Sequence, residues 1–155
     1  MIDPPKVVPS EARQTAVIRL KVPRAQIREV MGPAIGEVMA AVAGQGIGPA
    51  GPVFSHHFRM SPELFDFEVG VPVTREVKPV RRVQASTLPA ETVARTIYRG
   101  PYEGLGDAWA EFQKWIVAAG HQQADNLWEC YVRGPESGPD ATHWETELNR
   151  PLVIG

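Results

Sequence analysis

One succession of elements, strand then helix then strand then strand, can be read twice along this chain. In the first pass Thr15–Val22 (TAVIRLKV) is rich in β-branched residues and predicts a strand that ends at Pro23. Pro33–Ala43 places Ile35, Val38, Met39 and Val42 at i, i+3, i+4 and i+7, one apolar helical stripe. The glycines and prolines of Gly44–Pro52 must stop that helix. Val53–Arg59 and Leu64–Val73 then read as a hairpin. In its second strand Phe65, Phe67, Val69 and Val71 alternate with Asp66, Glu68 and Gly70, so aromatics and acids take opposite faces.

Residues 74–82 read as a linker, after which the order repeats. Glu91–Tyr98 predicts a strand, Arg99–Tyr102 a turn, and Gly106–Ala119 a helix with Asp107 at its positive end. The helix carries an apolar stripe of Ala108, Trp109, Phe112, Trp115, Ile116 and Ala119, and Gly120 ends it. Leu127–Arg133 and His143–Leu148 predict two further strands around a Gly/Pro-rich loop at 134–142. Gly32-Pro33-Ala34 corresponds to Gly100-Pro101-Tyr102, Phe54-Ser55-His56-His57-Phe58 to Trp128-Glu129-Cys130-Tyr131-Val132, and Phe67-Glu68-Val69 to Trp144-Glu145-Thr146. Any two α/β halves share a bare element order; these matches in register argue for duplication. A unit of about 65 residues is marginal alone. The expectation is therefore an α+β fold of duplicated βαββ units, a pseudo-twofold body with a ligand cleft between its halves. Its organisation is a mobile tail over 1–14 and one domain over 15–155, with repeats near 15–75 and 83–153.

Composition narrows the function classes. With 155 residues, 43% hydrophobic and 22% charged, the chain is globular, and its net charge of −2 creates no field favouring nucleic acid or an anionic membrane. The basic run Lys78–Arg82 contains a proline and reads as a solvated connector. No apolar stretch suits a membrane helix, and the N-terminus does not resemble a signal peptide. A single cysteine, Cys130, excludes an internal disulfide framework and suggests the cytoplasm. His56, His57, His121 and His143 lack metal-ligand spacing, and the glycines at 44–51 precede a strand rather than a helix, so no metal, nucleotide or other cofactor is expected.

Tyr98-Arg99-Gly100-Pro101-Tyr102-Glu103-Gly104-Leu105 before a helix, Trp128-Glu129-Cys130-Tyr131 on a strand, and Trp144-Glu145-Thr146-Glu147-Leu148 with Pro151 resemble the GyrI-like domain over roughly residues 14–153. That domain also serves as the effector-binding part of multidrug-responsive transcription activators. The resemblance implies a stand-alone small-molecule binder taking bulky, often cationic aromatic compounds through a buried glutamate and surrounding aromatics, for sensing, sequestration or detoxification. It also implies two alternatives: hydrolysis of cyclopropane-containing DNA-alkylating natural products, and modulation of DNA gyrase as a protein partner. Residues 1–14 are too short for the activators' DNA-reading segment, so direct DNA binding is not expected.

Alternation over 127–133 puts Leu127, Glu129 and Tyr131 on one face and Trp128, Cys130 and Val132 on the other. The apolar second set is expected beneath the helix, leaving Glu129 to face the cleft. The corresponding first-half positions are Ser55 and His57, opposite Phe54, His56 and Phe58. A carboxylate among aromatics loses hydration and gains from a cationic ligand, to which Tyr102, Tyr131 and Trp144 would each add about 0.5–2 kcal/mol of cation–π attraction. With Tyr102 or Tyr131 as proton donor, Glu129 could alternatively orient or deprotonate a water for hydrolysis. The bland alternative is an exposed edge-strand acid paired with Arg95 or Arg133. Glu147 is either a second cleft acid or solvent-exposed; Trp109 is either a ligand contact or core; Trp144 belongs either to core or cleft. Cys130 reads as an inert buried thiol.

Overall fold

A computed structural model describes residues 2–60, 63–134 and 138–153. In chain order its regular elements are β1 (Lys6–Pro9), β2 (Arg13–Pro23), α1 (Ile27–Gln45), β3 (Phe54–Met60), β4 (Leu64–Pro72), β5 (Gln84–Leu88), β6 (Thr92–Arg99), α2 (Leu105–Ala118), β7 (Gln122–Gln123), β8 (Leu127–Arg133) and β9 (Glu145–Val153). They fall into two compact units, residues 11–90 and residues 1–10 with 91–155. The class is α+β with antiparallel strand pairing, as expected. Among the described residues no helix is long and apolar enough to cross a membrane.

In the first unit the antiparallel strands lie in the order β3-β4-β2-β5. The period-two pattern of β4 does what the sequence predicts. Phe65, Phe67, Val69 and Val71 join Ala16, Ile18 and Leu20 of β2 and Ala34, Val38 and Val42 of α1 in one core. Of the acids on the opposite face, Asp66 pairs with Arg19 at 2.8 Å, and Glu68 is buried and accepts a 2.7 Å hydrogen bond from the Ser86 hydroxyl.

The helix α1 begins well before the expected start, with Pro33 inside it. Proline removes one helical N–H, but Ile27, Val30 and Met31 pack on the core, and that burial offsets the loss. The Gly32-Pro33 step is thus helical, whereas Gly100-Pro101 precedes its helix, so this expected correspondence between the halves does not hold. Gly46, at φ 66°, ends α1 in the left-handed region that favours glycine.

In the second unit the order is β1-β6-β9-β8, with β7 on β9. Its core gathers Ala94, Tyr98, Ala108, Phe112, Ile116 and Leu148. Both units therefore repeat strand–helix–strand–strand, with the last strand of the order pairing between the other two (β4 between β3 and β2, β9 between β8 and β6).

The expected tail needs correction. Lys6–Pro9 pairs with Thr92–Arg95, and Ser10 exchanges hydrogen bonds with Glu91. Proline is tolerated because this is an outer strand of the order, where a missing N–H costs no ladder bond. The linker over 74–82 gives way to β5, whose polar sequence QASTL offers no apolar alternation to detect. β9 starts at Glu145, while His143 lies in a 3-10 turn, Ala141–His143, capped by Asp140. Of the loop expected over 134–142, residues 135–137 lie outside the described residues.

Candidate functional site

The ladder of the second unit decides which way Glu129 points. Glu129 lies opposite Leu148, which lies opposite Thr96; Tyr131 lies opposite Thr146, which lies opposite Tyr98. Leu148 and Tyr98 belong to the core built with α2. Glu129 and Tyr131 therefore share the helix-side face, and Trp128 and Cys130 take the other, while Val132 falls in a register shift between Tyr131 and Arg133. This reverses the expected assignment, in which the apolar set lay beneath the helix. The first unit repeats the finding. Ser55 pairs with Val69 and His57 with Phe67, both core residues under α1, while His56 pairs with Glu68 on the opposite face, the face of Phe54.

An acid can stay on the helix side because aromatic groups with polar edges receive it. Trp109, one turn before the fully buried Phe112 on α2, donates its indole N–H to Glu129 Oε2 at 2.6 Å. The Tyr131 hydroxyl donates to Oε1 at 2.9 Å. These bonds favour the carboxylate form, but loss of hydration is the larger influence and raises the Glu129 pKa above its ordinary value. No ion pair to Glu129 occurs among the described residues. Among the described residues the carboxylate thus sits with neutral donors and no compensating cation, unlike the exposed ion-paired acid of the bland alternative.

The rings continue away from Glu129. Tyr131 meets Tyr102 edge-on, with centroids 5.8 Å apart, and Tyr102 meets Trp144 at 5.0 Å, tilted by 40°. Tyr102 reaches this position from the 3-10 turn Tyr102–Gly104 that leads into α2. That turn is held from beneath by Tyr98, whose hydroxyl donates to the Pro101 carbonyl at 2.8 Å. Trp144 precedes β9 and anchors its indole N–H on the Gly138 carbonyl at 3.2 Å. It thereby joins the ring cluster rather than the core around Phe112. Trp109 belongs to both, since it also tilts against Phe112 at 5.6 Å.

Of the residues singled out from sequence, Glu129, Tyr131, Tyr102, Trp144 and Trp109 come together. Glu147 does not. It lies on the opposite face, where Asn149 donates to it at 3.1 Å and Arg95 stands 3.5 Å away. Ser55 and His57 are buried in the first unit and joined to each other at 3.2 Å. Sequence reading passed over Thr146, whose buried hydroxyl has no hydrogen-bond partner among the described residues and whose backbone lies between Tyr131 and Tyr98. Its alternation with Glu145 and Glu147 was the available signal.

An α+β chain with two strand–helix–strand–strand units, one of them carrying a dehydrated acid set among rings, has the makings of a small-molecule receptor. The chain belongs to the GyrI-like family: residues 3–152 match the GyrI-like small molecule binding domain. Its fold is that of the EcmrR C-terminal domain, at 20% identity and a TM-score of 0.85, each chain covered to 98%. Against EcmrR in its complex with DNA the identity is 21% and the TM-score 0.84, but this chain spans only 58% of that one while being covered to 98% itself. It is also similar to SAV2435 bound to tetraphenylphosphonium (10% identity, TM-score 0.70, coverage 97% and 94%) and to a hydrolase from Listeria innocua (13% identity, TM-score 0.59, coverage 96% and 91%). No curated protein matches the chain by sequence at a significant level.

Proposed function

We propose that this protein binds bulky aromatic cations on the helix-side face of its second unit, with Glu129 as counter-ion and Trp109, Tyr131, Tyr102 and Trp144 as the surrounding surface. The single observation that carries this reading is the state of Glu129: little hydrated, held by neutral donors, and without a cationic partner among the described residues. A carboxylate in that setting gains more from a cation than one in water does, because its hydration has already been given up. Ring faces attract a diffuse cation without demanding one shape, which suits a receptor for varied ligands. SAV2435, a protein of this fold, is described bound to such a cation, and this supports the choice of probe.

The test is isothermal titration with tetraphenylphosphonium and, as a neutral control, triphenylphosphine oxide. Glu129→Gln is expected to weaken the cation by about 1.5–3 kcal/mol, the worth of a hydrogen-bonded charge, which is roughly tenfold to a hundredfold in Kd. The neutral control should bind wild type and variant alike. Equal affinity of both proteins for the cation would remove Glu129 from the account.

A second reading, hydrolysis, is favoured by one contact: the Tyr131 hydroxyl lies 2.9 Å from a carboxyl whose pKa is raised. That pair can hold a water and supply a proton. Incubation with a cyclopropane-containing alkylating compound, followed by product analysis, tests it; Glu129→Gln should then retain binding and lose turnover.

A further inference from the structure

The first unit holds a neutral counterpart to the acid. Ser55 and His57 occupy the places on β3 that Glu129 and Tyr131 occupy on β8, opposite Val69 and Phe67 as those are opposite Leu148 and Thr146. The two side chains are also hydrogen-bonded to each other, His57 Nε2 with Ser55 Oγ at 3.2 Å, as Tyr131 is with Glu129. What differs is charge. A hydroxyl stands where the other unit has a carboxylate.

His57 is 6% exposed, and its Nδ1 has no hydrogen-bond partner among the described residues. The ring cannot turn easily to find one. It stacks on Phe67 with centroids 4.9 Å apart at 21°, meets Phe65 edge-on at 5.4 Å, and is tied by its other nitrogen to Ser55. Other buried atoms in the same condition are the Thr15 and Thr146 hydroxyls and the Gln123 amide oxygen; the hydroxyls can re-aim their protons about the C–O bond, whereas turning the His57 ring about its Cβ–Cγ bond would break its stack on Phe67 and its bond to Ser55. A buried, fixed and unmatched ring nitrogen calls for an outside group. The surroundings specify its kind: aromatic and aliphatic walls from Phe65, Phe67 and Val69, and no charged residue facing His57 from the paired positions of β4.

We propose that Ser55 and His57 form a second small-molecule contact point, which takes a neutral aromatic group carrying a hydroxyl, with that hydroxyl on His57 Nδ1. A hydroxyl both gives and accepts hydrogen bonds, so it satisfies Nδ1 in either tautomer of the ring. Burial keeps the imidazole neutral, its pKa lowered to about 4, so the contact carries no positive charge at neutral pH. The inference extends the small-molecule reading of this chain to neutral groups and does not require Glu129.

The test uses the whole protein with 15N-labelled histidine, titrated with phenol and, separately, with toluene. Phenol is expected to shift the His57 Nδ1 resonance saturably while toluene does not. His57→Phe, which keeps the ring stack, should lose at least tenfold in phenol affinity, and the wild-type spectrum serves alone if that variant fails to fold. Glu129→Gln should leave the phenol response intact while weakening tetraphenylphosphonium, so failure of one site is told from failure of the other. No phenol-dependent shift at Nδ1, or equal shifts with phenol and toluene, overturns the proposal.

Discussion

Lowering the pH should unfold this protein through two adjacent histidines. His56 and His57 lie on opposite faces of β3, 4% and 6% exposed. Burial lowers the pKa of each from 6.5 to about 4; the Arg19 charge adds to the effect on His56, and His56 adds to that on His57. The unfolded chain therefore binds protons that the folded one refuses as pH falls below 6.5. Stability is fully present above 6.5 and is lost as pH falls toward about 4, where the folded rings finally accept protons. That interval, at about 1.4 kcal/mol per pH unit, makes each ring cost on the order of 3 kcal/mol. For a domain with about 5–15 kcal/mol in hand, the pair takes a large share. Urea unfolding of wild type and His57→Phe at pH steps from 7.5 to 4 measures it. Wild-type stability should fall near pH 5 by about 1.2 kcal/mol per pH unit more than the variant's. Parallel curves for the two proteins would show that His57 is not held neutral, and the reasoning would fail.

Glu129 should act with the opposite sign. Its pKa is raised in the folded state by lost hydration, so the ionised form is a burden that grows as pH rises through the unfolded and then the folded pKa. Wild type should lose stability relative to Glu129→Gln on going from pH 4 to pH 8; a difference constant in pH contradicts the burial. Phe112→Ala, at a position with no solvent exposure in the second unit's core, should cost about 3–5 kcal/mol by the same urea assay. Gly70→Ala should cost at least about 1–3 kcal/mol, because the added Cβ overlaps the Ala16 carbonyl oxygen on the neighbouring strand and β2 and β4 must part. A Tm within 2 °C of wild type would contradict either substitution's expected effect.

The elements with strong period-two or helical patterning were legible from the residues. Phe65, Phe67, Val69 and Val71 declared both a strand and its core face, and Ala108, Phe112 and Ile116 declared the inner side of α2. Legibility ended where pattern and packing part. On β8 both faces carry large apolar groups, Trp128 on one and Leu127 with Tyr131 on the other, so alternation separates the faces without saying which meets the helix. An acid on the helix side looks wrong until the indole N–H of Trp109, twenty residues earlier, is seen to receive it. β1 and β5 were invisible for another reason. Outer strands bury little, so their sequences, KVVP and QASTL, need no apolar period. The ring cluster itself was foreseeable from residue types; that Glu147 lies across the sheet from it follows only from the ladder.

The exchange of hydration for a bound cation at Glu129 can be observed at the carboxyl carbon. Binding of a cation must lower the Glu129 pKa by the same free energy with which ionisation strengthens the cation's binding. The 13C shift of the Glu129 side-chain carboxyl, followed from pH 3 to pH 9, should titrate above the ordinary carboxylate range in the free protein and move downward once tetraphenylphosphonium saturates it. An unchanged midpoint with the cation bound would mean that the ligand sits elsewhere, and a free-protein midpoint at the ordinary value would mean that the acid was never dehydrated.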